Sequence, residues 1–264
     1  MVLEEWQRVR DLNDRRGTSL CIVGPPGVGK TSFATAVARI LKRPLIRLPL
    51  GGADDVSLIG ADPAYHRSHP GAIVRGLASA GTRNVVIVLD EIDKAADRTN
   101  HGSVPVLLSL LDPEQRPAFR DAYLADVPID LSAAVMIATA NGLEAIRPEL
   151  LDRLDVIQLP AYSLAERQHI ASQYQLPRLR SELAVSSDVV DIPSEILLAI
   201  VGSGASRSGM RQIDRRLRTV MARALALHLA GRHPVTVTEA MVTGWVNSDE
   251  TFESRIGFRV RPLT

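Results

Sequence analysis

The sequence of 264 residues is poor in cysteine, lysine and aromatic side chains. Its single cysteine, Cys21, excludes an internal disulfide framework and leaves a zinc site without the usual thiolate ligands. The net charge of +1, from 31 basic and 30 acidic residues, gives no basic field of the kind that binds nucleic acid. Only Lys30, Lys42 and Lys94 are lysines, so any chemistry that needs an amine must use one of these three.

Long apolar runs are also missing. No stretch reaches the length of about 18 apolar residues that a membrane-spanning helix needs, so no span is expected. The acidic residues in the opening MVLEEWQRVR do not fit the basic start of a secretory signal. Apolar residues make up 45% of the chain and charged residues 23%, a composition typical of folded globular proteins. We therefore expect a folded cytoplasmic protein.

Short apolar runs alternate with helical periodicity up to Pro160, which favours an α/β fold with a parallel sheet. The predicted strands are 19–23, 44–48, 85–89, 134–139 and 156–159, and the predicted helices are 3–12, 30–42, 70–80, 103–111 and 143–152. Beyond Pro160 the periodicity predicts helices alone, at 163–174, 193–202, 209–231 and 238–246. We divide the chain into an α/β domain over 1–161, a small helical domain over 162–248 and a tail over 249–264.

A phosphate-binding loop follows the first predicted strand. Residues 24–31 fit G-x-x-x-x-G-K-[ST] at every fixed position and lie between a strand and a helix, the context that the motif requires. Glycines let backbone N–H groups turn toward phosphate oxygens, and the helix N-terminus adds partial positive charge. Lys30 is expected to reach the β- and γ-phosphates of ATP, and Thr31 to ligate Mg²⁺. The predicted phosphate-binding residues are Gly24, Pro25, Pro26, Gly27, Val28, Gly29, Lys30, Thr31 and Ser32.

Two carboxylates follow the third predicted strand. Asp90 is placed where a phosphate-loop ATPase holds Mg²⁺, and Glu91 can polarise a water for in-line attack on the γ-phosphate. The alternative is a pair of solvated acids at a strand end, which is disfavoured here because a phosphate loop precedes it. Asp93 and Lys94 are expected to cap the next helix or to pair on the surface.

The order of these motifs resembles the AAA+ ATPases, and among them the ATPase module of Lon proteases. The matching strings are GPPGVGKTS at 24–32, LGG at 50–52, LDEIDK at 89–94, LLDPEQ at 110–115, VPIDLS at 127–132, ATAN at 138–141, LLDR at 150–153 and GMRQIDR at 209–215. The resemblance implies a parallel-sheet ATPase domain followed by a helical lid. It also implies hydrolysis of ATP with Mg²⁺ by a ring of copies of the chain, with a hexamer expected.

The resemblance assigns roles to three further polar residues. Asn141 falls at the position whose amide orients the attacking water, and the alternative is an asparagine that only forms a turn. Arg153 matches the arginine finger that acts on the nucleotide of a neighbouring subunit, and the alternative is a surface salt bridge with Asp152 or Asp155. Arg211 matches the lid arginine that senses nucleotide, and the alternative is one of several ordinary arginines in or next to the same predicted helix, which include Arg207, Arg215, Arg216 and Arg218.

The resemblance also places Tyr65 and His66 in a pore loop. An aromatic ring that faces a central channel can grip an extended polypeptide through apolar contact. The family has an aliphatic residue where this chain has His66, and an ordinary loop tyrosine is the alternative at position 65.

No lysine follows Lys94, so the Ser–Lys dyad of the Lon peptidase domain cannot be formed by these residues. We therefore expect a stand-alone ATPase that unfolds, moves or remodels a polypeptide substrate without its own peptidase activity. Three alternatives stay open: an ATP-dependent regulatory or assembly module that joins a protease or other partner, a nucleic-acid remodeller, and a fragment of a larger protein. The near-neutral charge disfavours the nucleic-acid remodeller.

Overall fold

The computed structural model describes residues 19–51, 58–66, 68–96, 103–125, 127–202, 209–232 and 234–245. The predicted helix 3–12 and the predicted tail 249–264 lie outside these residues. The chain divides into two compact units, Met1–Pro160 and Ala161–Thr264. In the described part of the chain, no helix combines the length and the apolar character that crossing a lipid bilayer requires.

A parallel sheet forms the centre of the first unit. Its strands are β1 Ser19–Val23, β2 Leu45–Pro49, β3 Val86–Asp90, β4 Val135–Ala140 and β5 Asp155–Gln158. They pair in the order β2–β3–β4–β1–β5, every pair being parallel. Strands β1, β3 and β4 are buried throughout, as continuous apolar runs in a covered parallel sheet should be. The predicted α/β fold is confirmed, and each predicted strand lies within one residue of its position.

Helices cover both faces of this sheet because successive strand residues point to opposite sides. Leu20 and Ile22 pack with Val37 on one face, and Cys21 and Leu107 belong to the core on the other face. The helices are α1 Lys30–Ile40, α2 Ala72–Ala80, α3 Ile92–Ala96, α4 Ser103–Leu111 and α5 Pro148–Leu151, with a 3₁₀ turn at Arg116–Ala118.

Helix α5 is shorter than the helix predicted over 143–152. Pro148 is its first residue, a position that proline tolerates because its missing N–H would have no partner there. Arg147 before it is extended, with φ of −63° and ψ of 140°, because a residue that precedes proline avoids the helical region.

The second unit contains α6 Leu164–Ile170, a π-helical turn Ala171–Gln175, α7 Leu176–Leu183, β6 Val190–Asp191, α8 Ser194–Gly202, α9 Met210–Leu229, β7 Val235–Thr236 and helical residues 239–245. The prediction of helices alone missed the two-stranded parallel sheet of β6 and β7. It also missed α7, in which Pro177 lies in the first turn, where proline is accepted. The unit has its own apolar core, which includes Leu179, Ile200, Ile213 and Val220.

Candidate nucleotide-binding site

The phosphate loop joins β1 to α1 and depends on its glycines. Gly27 and Gly29 have φ of 80° and 89°, a left-handed conformation that glycine adopts without steric cost. Gly24 donates its backbone N–H to the Ala140 carbonyl over 3.2 Å, which joins the start of the loop to the end of β4. A Cβ at position 24 would collide with the carbonyl oxygen of Leu159. The loop therefore has the backbone shape that phosphate binding requires.

The ammonium of Lys30 lies against the loop and reaches the end of β4. Its Nζ donates to the carbonyl oxygens of Gly24 and Pro25 over 2.7 and 3.1 Å, and to Asn141 Oδ1 over 3.0 Å. Lys30 and Asn141 are 111 positions apart in the chain, and strands β1 and β4 bring them together because they are neighbours in the sheet. Two of the predicted site residues therefore meet in one hydrogen bond.

Asp90 and Thr31 form the predicted metal-binding pair. Asp90 is only 8% exposed, and its Oδ1 lies 3.5 Å from Thr31 Oγ1. Carboxylate and hydroxyl oxygens are the ligands that Mg²⁺ prefers, and this separation allows both oxygens to contact one ion. The residues present therefore fit a magnesium ion bound together with a nucleotide.

Two residues that the sequence reasoning missed hold Asp90 in place. Thr139 on β4 is fully buried and donates its hydroxyl to Asp90 Oδ1 over 2.6 Å. Arg47 on β2 donates Nε to Asp90 Oδ2 over 3.0 Å and forms an ion pair with it through Nη2. A hydroxyl in an otherwise apolar strand was an available signal for Thr139, and a charged residue in the strand next to β3 was a signal for Arg47.

Glu91 has a strained backbone. Its φ of 62° lies in the left-handed region that residues with a side chain rarely adopt, and its N–H donates to Thr139 Oγ1 over 3.1 Å. Its Oε2 accepts a hydrogen bond of 2.7 Å from Lys94 Nζ, so Lys94 pairs on the surface as expected. This bond raises the pKa of Lys94. Gly51 leaves room for the carboxylate, since a Cβ there would come within 2.9 Å of Glu91 Oε2.

Asp93 was expected to cap a helix or to pair on the surface, but it is buried, with only 9% of its surface exposed. Its Oδ2 accepts hydrogen bonds from the backbone N–H and from Nδ2 of Asn141, over 3.0 and 3.2 Å. The expectation was wrong because the short helix α3 turns Asp93 toward the end of β4, whereas it leaves Lys94 exposed.

Arg153 follows α5 and contacts residues of the first unit. Its Nη1 donates to the Glu149 carbonyl over 2.7 Å, and its Nε lies 3.6 Å from Asp112 Oδ2. The salt-bridge alternative therefore has Asp112 as its acid rather than Asp152 or Asp155. The pKa of Asp112 is lowered mainly by the backbone N–H of Glu114, with Gln115 and Arg153 adding to the effect.

The predicted pore-loop residues and the predicted lid arginine lie on exposed surfaces. Tyr65 is 71% exposed, and His66 beside it is exposed too. The loop that contains them is closed at its base by a bridge between Gly60 and Pro70. Arg211 is exposed near the start of α9 in the second unit.

Residues 20–161 match the sequence profile of the ATPase family associated with various cellular activities (AAA). The chain belongs to this family, in agreement with the parallel sheet and the phosphate loop described above.

Within the family, the chain is similar to Lon proteases. It is 41% identical over 234 residues to the peroxisomal Lon protease homolog 2 of Spinacia oleracea, covering 88% of this chain and 26% of the relative. It is 42% identical over 229 residues to Lon protease 2 of Myxococcus xanthus, covering 86% and 27%. With the Lon protease of Helicobacter pylori the identity is 44% over 216 residues, covering 81% and 26%. The chain spans about a quarter of the length of these curated relatives.

Proposed function

We propose that this AAA ATPase hydrolyses ATP at the site formed by the phosphate loop and the carboxyl ends of β3 and β4. The observation that supports this most directly is the convergence of Lys30, Thr31, Asp90 and Asn141 from three separate segments of the chain. Lys30 supplies positive charge for the β- and γ-phosphates, and the loop supplies backbone N–H groups. Thr31 and Asp90 would hold Mg²⁺, which neutralises phosphate charge when bound.

In this proposal, Glu91 is the general base for ATP hydrolysis. Its carboxylate follows the residue that would hold the metal, and more than a third of its side chain is exposed, so water and nucleotide have access to it. A carboxylate at this place can accept a proton from the attacking water. Asn141 orients that water through its side-chain amide.

We further propose that the chain acts as a ring, with a hexamer expected. Arg153 would then stabilise γ-phosphate charge in a neighbouring subunit, a task suited to a planar and permanently charged guanidinium. Arg211 would respond to nucleotide from the helical unit, which is the proposed lid. The relatives named above include a peroxisomal protein and bacterial ones, so the comparisons do not assign this chain to the cytoplasm.

The work done by this motor is proposed to be the movement or unfolding of a polypeptide. The support is the similarity to proteins named Lon protease and the exposed Tyr65 on a loop closed at its base.

We propose no peptidase chemistry for these residues, because the sequence has no lysine after Lys94 to form a Ser–Lys dyad. A regulatory module that assembles on ATP and threads nothing is the second candidate.

Hydrolysis is tested with Glu91→Gln, which keeps the size of the side chain and removes the base. Turnover should fall by about 10² to 10⁴-fold, the usual contribution of a general base, whereas ATP affinity should stay within about 2-fold. Phosphate release and calorimetric titration measure the two quantities. Unchanged turnover in this variant would remove the assignment of the base.

Threading is tested with Tyr65→Ala. A motor should lose the unfolding of a tagged substrate protein and keep its ATP turnover, whereas a regulatory module should lose neither. Tyr174→Ala is the matched control, because Tyr174 is a similarly exposed tyrosine, at 66%, in the second unit. Equal effects of the two substitutions would contradict a pore-loop role for Tyr65.

A further inference from the structure

We propose that Asp93 is a positioning residue that fixes the orientation of the Asn141 side-chain amide. In this orientation Oδ1 faces the Lys30 ammonium and Nδ2 faces the Asp93 carboxylate. The inference rests on the proposed function, since it concerns the residue that would orient the attacking water.

The geometry fixes the amide from two sides. Asn141 Nδ2 donates to Asp93 Oδ2 over 3.2 Å, and Asn141 Oδ1 accepts from Lys30 Nζ over 3.0 Å. A flipped amide would place its oxygen against the Asp93 carboxylate and its N–H groups against the Lys30 ammonium. Both contacts would then be repulsive, since a carboxylate only accepts hydrogen bonds and an ammonium only donates them.

The backbone of Asn141 is held by the same oxygen. Its N–H donates to Asp93 Oδ2 over 3.0 Å, so one carboxylate oxygen orients both the main chain and the side chain at the end of β4. These contacts span 48 positions of sequence and form because β3 and β4 are neighbours in the sheet.

The second carboxylate oxygen of Asp93, Oδ1, indicates that packing alone does not explain this residue. Within the described residues, Oδ1 is buried without a hydrogen-bond partner. Lys94, the adjacent cation, donates instead to Glu91. Burying a carboxylate with one unpaired oxygen costs folding free energy. An uncharged side chain would fill this space without that cost, so packing alone does not account for an aspartate here.

The fixed amide determines what Asn141 can do in the reaction. Its N–H bond to Asp93 occupies one amide proton, and the oxygen that faces Lys30 is an acceptor. Through this oxygen, Asn141 can accept a hydrogen bond from the attacking water, which leaves a lone pair of that water free to face the γ-phosphate.

A double-mutant cycle tests this inference with Asp93→Leu and Asn141→Ala. Asp93→Leu keeps the branched shape and removes both acceptors. It should lower kcat by about 10-fold with the ATP Kd changed by less than about 2-fold, because only orientation is lost. In the Asn141→Ala background, Asp93→Leu should cause no further loss of kcat. Two losses that multiply would show that Asp93 acts independently of Asn141 and would overturn the inference.

Conservative and control variants separate positioning from folding. Asp93→Asn keeps one acceptor oxygen, so its kcat should lie between those of the parent and Asp93→Leu. If Asp93→Leu does not fold, as judged by its thermal unfolding, the same cycle is run with Asp93→Asn and the same criterion applies. Asp130→Asn is the control, because Asp130 also accepts a backbone N–H, from Ser132 over 2.9 Å, and lies before β4 rather than after it. Its kcat should equal that of the parent.

Failure of this inference and failure of the proposed function give different results. If Glu91→Gln leaves turnover unchanged, the proposed hydrolytic site is wrong. If Glu91→Gln abolishes turnover and the losses from Asp93 and Asn141 multiply, only the positioning role of Asp93 is wrong.

Discussion

The two ends of the central sheet bury polar groups in different ways. At the amino end, Arg116 is fully buried and donates Nε to the Leu110 carbonyl over 2.6 Å and Nη2 to the Leu111 carbonyl over 3.1 Å and to the Ser19 hydroxyl. At the carboxyl end, the polar side chains of Asp90, Thr139 and Asn141 contact other side chains.

This difference separates a structural cluster from the proposed nucleotide site. Arg116 is fully buried against two main-chain carbonyls and the Ser19 hydroxyl, so its contacts stabilise the fold. Burial also lowers the pKa of Arg116 to about 10, because charge is disfavoured away from water. Side chains at the carboxyl end, such as Lys30, can exchange one partner for a phosphate. Ligand sites in open parallel α/β sheets lie at this end.

The largest expected effect belongs to Lys30→Met, which removes the ammonium at the carboxyl end. ATP affinity should fall by about 1000-fold, because charge-assisted contacts to the phosphates are lost. Titration calorimetry measures this change. Lys42→Met is the matched control, because Lys42 is an exposed lysine just after α1, and its affinity should match that of the parent. Equal losses in both variants would contradict a specific phosphate contact by Lys30.

The next effect is expected at the amino end. Arg116→Met should lower the free energy of unfolding by about 3 kcal/mol, because the Leu110 carbonyl loses its Arg116 donor and the Leu111 carbonyl keeps only the Ser19 hydroxyl. Urea denaturation followed by circular dichroism measures it. At temperatures where the variant is folded, its ATP affinity should equal that of the parent. A loss of ATP affinity without a loss of stability would break the distinction between the two ends.

Two substitutions that each remove a hydroxyl group compare the two ends of the central sheet directly. Thr139→Val should lower turnover by about 10-fold, because Asp90 and the backbone N–H of Glu91 both lose a partner. Ser19→Ala removes a hydroxyl at the amino end and should leave turnover unchanged. Steady-state phosphate release under saturating ATP measures both. Similar turnover in the two variants would contradict the assignment of the carboxyl end as the site.

The smallest effect concerns Cys21 in the middle of β1. Burial, together with the charge of Asp93, raises the pKa of its thiol from 9.0 to about 12. Above pH 9 the unfolded chain loses this proton while the folded chain keeps it, so stability should fall as the pH rises toward 12. Urea unfolding at pH 8, 9 and 10 should show a shallower fall for Cys21→Ala than for the parent. Equal slopes would contradict the raised pKa.

The sequence predicts most of the framework because its strands are continuous apolar runs and its phosphate loop has fixed spacing. Val135–Ala140 and Val86–Asp90 are buried over their full length, so apolar character alone locates them. Two of the helix errors involve prolines. Pro148 begins a helix that was predicted to begin earlier, and Pro177 lies inside a helix that was not predicted.

The partners of the site residues could not be predicted in the same way. The contacts of Asp90 with Arg47 and of Asn141 with Asp93 cross 43 and 48 positions of sequence. They depend on the order of the strands in the sheet and on the direction in which each side chain points. Local periodicity contains no information about either, so Asp93 was expected on the surface although it is buried.

The most direct measurement is a crystal structure of the Glu91→Gln variant with ATP and Mg²⁺. We predict that Lys30 Nζ contacts the β- and γ-phosphates and that the metal ion lies between Thr31 Oγ1 and the Asp90 carboxylate. A nucleotide bound elsewhere on the chain, or a metal ion that neither residue contacts, would contradict the proposed site.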